Sequence, residues 1–276
     1  MFIDTHTKES MIASICNIFN FAESKLNDVI DKIIQKAADE YDYSHKIDEL
    51  ICKRTTEHPD EILFFHLSRR LLGTENETNG HNLADMLLTN NAFSNLLTKY
   101  GIRFSKGVNH IETTYNGRQI DWDQCCSGNS RYMKLRLGYY EGREDFCFNG
   151  FALKDLLYKN DYARNLSGVP EFLGQLIECL GCKSLGNYYM KNSKYYCYEY
   201  KVPIDIVIFD GKDEYHLLQK QHHLIRCVLD RIIEYRTQNI RFIFDHDNPI
   251  LRLPDDYTLP SNYFIEKEEI TSDMLM

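Results

Sequence analysis

Between Lys8 and about Tyr41 the apolar residues Ile12, Ile15, Phe19, Ala22, Leu26, Val29 and Ile33 recur every three or four positions with charges between them. That spacing predicts one long amphipathic helix with a narrow, coiled-coil-like stripe. A hairpin with Ile47 to Arg54 would cover the stripe, and a partner-binding surface is the other use for it. Pro59 in the turn Thr56 to Asp60 ends this region, because a residue before proline avoids helix. The pattern then changes. Glu61 to Leu72 (EILFFHLSRRLL) reads as a hydrophobic strand whose alternation sets Phe64, His66 and Ser68 on one face. A polar loop, Gly73 to Asn82, leads to a helix over Leu83 to Tyr100 that Asn90 and Asn91 can split. Short strands follow: IRF, HIETTY, the Asn116-Gly117 hairpin turn, and RYMKLRL from Arg131.

Later segments extend the alternation of strand and helix. A strand ending at Asn149-Gly150, a helix over Pro170 to Leu180, and a helix over Glu214 to Arg236 are all predicted. Between the last two lies Tyr195 to Asp210, an aromatic and β-branched run that reads as two strands kinked at Pro203. Glu199 sits in its middle, on the face of Cys197 and Lys201. A carboxylate there needs a partner or a task. A short strand over Ile240 to Phe244, an acidic turn at Asp245-His246-Asp247, and a weakly ordered end from Lys267 complete the reading.

Composition narrows the class. A chain of 276 residues that is 43% hydrophobic can bury a sizeable core, and its 19 Tyr and 15 Phe against one Trp predict a ring-rich one. A net charge of −9 argues against a broad basic grip on nucleic acid. The start of the chain lacks a signal-like pattern, and no apolar run is long enough to span a bilayer, so the expected location is the cytoplasm with no membrane partner. The nine cysteines read as reduced core residues. Cys179-x-x-Cys182 with His222, His223 and Cys227 has zinc-ligand chemistry but irregular spacing, and no metal is assigned.

The order of Phe65-His66-Leu67-Ser68, then Gly150-Phe151-Ala152-Leu153-x-Asp155 with Lys159, then Tyr198-Glu199-Tyr200 resembles the His-Tyr-Glu arrangement of ADP-ribosyltransferases. Two positions depart from that family: Leu67 replaces a glycine, and Ala152 stands where the stacking tyrosine belongs. The resemblance implies an α+β fold with a mixed, largely antiparallel split β core and flanking helices, as residues 59–276, after a helical region over 1–58. It implies NAD as co-substrate and mono-ADP-ribosyl transfer to a macromolecule, protein or nucleic acid, as in toxins and defence effectors, with an antitoxin or partner on the N-terminal helix. Glu199 and His66 would be catalytic. His66 and Ser68 would hold the dinucleotide, with Phe151, Tyr158 or Tyr162 supplying the ring. An oxocarbenium-like sugar next to a fixed carboxylate is sound chemistry for such a set.

Two further readings use the same glutamate. Glu199-Tyr200-Lys201 fits the Glu-x-Lys of a Mg²⁺-dependent restriction-like nuclease, whose second acid would come from Glu178, Asp161 or Asp145. Alternatively Glu199 and Lys201 pair across strands of a non-catalytic interaction protein.

Overall fold

The computed structural model describes residues 1–125, 129–237 and 248–275. In chain order the helices are α1 (Lys8–Phe19), α2 (Glu23–Lys36), α3 (Glu40–Arg54), α4 (Leu83–Leu88), α5 (Ala92–Lys99), α6 (Trp122–Cys125), α7 (Ser130–Arg136), α8 (Asp161–Leu166), α9 (Glu171–Leu180), α10 (Lys183–Lys191) and α11 (Leu217–Thr237). The strands are β1 (Glu61–Leu71), β2 (Ile102–Lys106), β3 (Ile111–Tyr115), β4 (Arg118–Gln119), β5 (Asn149–Phe151), β6 (Ser193–Pro203), β7 (Ile208–Phe209), β8 (Ile250–Arg252) and β9 (Phe264–Glu269). The fold is therefore mixed α+β. An antiparallel sheet runs in the order β7-β8-β5-β1-β6-β9, and β2-β3-β4 form a second sheet.

The chain forms two compact units, each discontinuous in sequence. One comprises Met1–Phe65, Gly150–Asp161 and Glu199–Arg252; the other comprises His66–Asn149, Tyr162–Tyr198 and Leu253–Met276. In the first, α1 and α3 pack on α11. Met11, Ile15, Ile47 and Ile51 are buried there, as are Leu224, Ile225, Val228 and Ile232. In the second, Trp122, Met133, Leu137, Leu173, Leu176 and Leu185 share a core with Leu96, Leu97 and Ile102.

The expected single helix from Lys8 to Tyr41 is two helices, α1 and α2, followed by the first residues of α3. Thr7 starts α1 by accepting from the Ser10 backbone N–H, with the Ser10 side chain closing a capping box. Asn20 ends α1 in the left-handed region at φ 51, a conformation asparagine tolerates better than most residues. The turn brings the Phe19 and Phe21 rings edge to face at 5.8 Å. Asp39, accepting from Asp42 N–H, caps α3. A three-four stripe survives such a break in phase, so spacing alone conceals it.

Two other readings change. Arg131 to Leu137 is helical, not extended: Met133 and Leu137 are both buried, and their four-residue separation is a helix period. The C-terminal stretch is ordered as β9, whose following residue Ile270 donates its backbone N–H to the Tyr195 carbonyl at 2.8 Å. Lys194 pairs with Glu269 beside it at 2.8 Å. The expected split at Asn91 is real, since its side chain accepts from Phe93 and Ser94 N–H and caps α5. The kink at Pro203 is a single turn of 3-10 helix over Ile204–Ile206 between β6 and β7. The strand expected over Ile240 to Phe244 and the turn Asp245-His246-Asp247 lie outside the described residues.

Candidate functional site

Glu199 is 3% exposed in the middle of β6. Its Oε2 lies 2.9 Å from His6 Nε2, and the other ring nitrogen, His6 Nδ1, lies 2.7 Å from Asp4 Oδ1. Burial works against a charged imidazole, but the bonds to Glu199 and Asp4 prevail and raise the His6 pKa above its usual value. Each ring nitrogen then donates to a carboxylate, so the imidazolium is neutralised from both ends. At Asp4 burial raises the pKa, while the His6 backbone N–H, the His6 ring and Ser10 lower it, and the net shift is down.

The segment that presents His6 is tied into the same unit by its backbone. Thr5 Oγ1 donates to the Ala152 carbonyl at 2.7 Å, and Lys154 N–H donates to the Thr5 carbonyl at 3.0 Å. This places Lys154 close by. Its ammonium donates to Tyr158 Oη at 2.6 Å and lies 5.5 Å from the centre of the Phe65 ring. The His6 ring meets the same phenyl edge-on at 5.6 Å. Asp4, His6, Glu199, Lys154 and Tyr158 therefore gather around Phe65, two acids with two cations and a phenol. None of Asp4, His6 or Lys154 was marked by the sequence. The one available signal was Asp-x-His directly before a Thr-x-x-Ser cap.

The expected site residues divide. Glu199 and Tyr158 belong to this cluster. Phe151 is buried opposite Phe65 in the β1–β5 register and offers no open ring face. Tyr162 is exposed and, with His66 and Ser68, belongs to the other compact unit. Alternation separates His66 further. Phe65 faces His6, whereas Phe64 faces Tyr200 at 6.4 Å, and His66 shares the side of Phe64. His66 Nδ1 bonds the Asn149 carbonyl at 2.7 Å and its ring lies 4.0 Å from that of Phe148. Burial and the charge of Arg70 lower its pKa to about 3, against the pull of that carbonyl, so the ring is neutral.

Other motif residues are structural. Asp155 meets Arg231 at 3.6 Å with both side chains 1% exposed, and accepts from Tyr235 Oη at 2.8 Å. Lys201 pairs with Glu61 at 3.3 Å. Asp145 pairs with Arg136, and Glu178 accepts from Asn129. Cys179 is disulfide-bonded, which corrects the expectation of nine reduced cysteines and removes it as a thiolate ligand. Cys182 donates to Tyr115 Oη, His223 lies 3.6 Å from Cys227, and His222 lies 3.9 Å from Cys52. Among the described residues no group of three or more His, Cys, Asp or Glu is arranged to hold a metal ion. No helix there is long and apolar enough to cross a membrane. No protein-family model, curated protein or solved structure matches the chain.

Proposed function

We propose that the chain cleaves the nicotinamide–ribose bond of NAD and transfers ADP-ribose to a macromolecular acceptor, with Glu199 as the working carboxylate. The observation behind this reading is the near-complete enclosure of Glu199 beside an imidazole that is itself reachable from solvent. A carboxylate fixed in that way is preorganised to stabilise the positive charge that develops on the ribose as nicotinamide leaves with the bonding electrons. The acceptor's nucleophilic atom then bonds the anomeric carbon and loses its proton to water. Tyr158 is the ring best suited to lie against nicotinamide, and the adjacent Lys154 ammonium suits the dinucleotide's phosphates. His66 and Ser68 drop out of the reading because they belong to the other compact unit.

The nuclease reading has less behind it. Lys201 is engaged by Glu61, and the acids considered as a second ligand have partners of their own. The test is incubation with radiolabelled NAD and a cell extract, comparing wild type with Glu199→Gln. Label carried into protein or RNA by wild type alone is the expected result. No transfer, together with no shift in melting temperature on adding NAD, would overturn the proposal.

A further inference from the structure

Along β1, His66, Ser68 and Arg70 stand in a row at two-residue spacing on one face, all half-buried in one compact unit. Their neighbour Arg69 donates to the Ser167 and Ser193 carbonyls and to Ser193 Oγ. Arg70 differs. Its guanidinium lies 5.1 Å from the centre of the Tyr198 ring and hydrogen-bonds that side chain, while its Nε is buried without a hydrogen-bond partner. The bond from Leu72 N–H to the Asn192 carbonyl sets the antiparallel pairing there and brings Tyr198 level with His66. A guanidinium over Tyr198 has thus folded back along the strand toward His66 and Ser68. A buried unsatisfied donor calls for an explanation, and a ligand oxygen provides one.

The three groups are chemically complementary to one kind of ligand. Arg70 offers a cationic fork for anionic oxygens, and Ser68 offers a hydroxyl donor. His66 offers the reverse. Its Nδ1 hydrogen is committed to the Asn149 carbonyl, which can only accept, so Nε2 carries a lone pair. An acceptor next to a guanidinium selects an anion that keeps a hydrogen. From these placements we infer that this face binds a phosphate group retaining one O–H.

Calorimetric titration of the full chain with inorganic phosphate and with sulfate at neutral pH tests it, because sulfate has no hydrogen to donate. Phosphate should bind wild type at least ten-fold more tightly than sulfate, since an unpaired acceptor penalises the wrong anion. Arg70→Gln should weaken phosphate at least ten-fold and Ser68→Ala several-fold. His66→Phe, which keeps a ring against Phe148, should bring phosphate to the level of sulfate. Ribose 5-phosphate run in parallel identifies the source: tighter binding than phosphate marks an esterified ligand, weaker binding a free one. Equal binding of phosphate and sulfate, or equal losses in Arg70→Gln and in the surface control Lys53→Gln on α3, would overturn the inference. Ser68→Ala removes only one hydroxyl and keeps the test decisive if Arg70→Gln does not fold.

Discussion

His6 Nε2 lies 2.9 Å from Glu199 Oε2, although 193 residues of chain separate them. The contact joins a short segment ahead of α1 to the middle of β6, and Asp4 holds the far side of the same imidazole. Removing the ring would strand a buried carboxylate, at a cost of about 1–3 kcal/mol. His6→Ala should therefore lower the unfolding free energy by that amount, read as a lower urea midpoint with no change in m-value.

The pH dependence of that loss follows from the sign of the shift. The folded-state pKa of His6 is raised, so its contribution is complete below the ordinary imidazole value of about 6.5 and fades as pH rises through the folded value. Asp4, shifted down, contributes above about 3.9 and is lost as pH falls through its folded value. The stability gap between wild type and His6→Ala should be widest between these limits and narrow toward alkaline pH. A gap that grows from neutral to alkaline pH would contradict the doubly bonded imidazolium.

Arg231 and Asp155 present a different electrostatic problem, because both are enclosed. Burial raises the Asp155 pKa against the opposing charge of Arg231 and the Tyr235 bond. Arg231→Met leaves the carboxylate without its cation and should destabilise by about 3–5 kcal/mol. The double change Arg231→Met with Asp155→Leu should recover much of the loss, which equilibrium unfolding would detect. A double variant worse than the single would mean that the pair contributes mainly by attraction.

Two backbone positions make opposite predictions. Asn20 holds φ 51, so Asn20→Gly should be neutral or slightly stabilising, while Asn20→Ala should cost about 1 kcal/mol. Gly150 has an ordinary φ but no room, since an added Cβ would collide with the Phe64 ring. Gly150→Ala should cost about 1–3 kcal/mol through overpacking. Thermal melts of the three variants order them.

The contrast between β6 and the residues ahead of α1 shows what the sequence made legible. The run around Glu199 declares itself because aromatic and β-branched residues need no distant partner to favour a strand. The same holds for α11, the Asn116-Gly117 hairpin and the cap at Asn91, where the deciding interactions are local. Asp4 and His6 carry no periodicity, and their meaning depends on a strand met 193 residues later. The helical state of Arg131 to Leu137 was hidden for another reason: its alternation fits a strand until the Trp122 core claims Met133 and Leu137 together. The resemblance to ADP-ribosyltransferases used the linear order of His66 and Glu199, and linear order does not report which face of a strand a side chain takes.

The independence of His66 from Glu199 can be measured. His66 and Glu199 belong to different compact units and have no partner in common among the described contacts. Residues without shared partners usually contribute additively, so the stability changes of His66→Phe and Glu199→Gln should sum to within about 0.5 kcal/mol. His6→Ala and Glu199→Gln touch one hydrogen bond and should not sum. The neutral amide of Glu199→Gln loses less when His6 is gone, giving an interaction energy of about 1 kcal/mol or more. Both cycles need only urea titrations of five variants and wild type, since Glu199→Gln serves in each. Coupling in the His66 cycle as large as in the His6 cycle would return His66 to the site of Glu199.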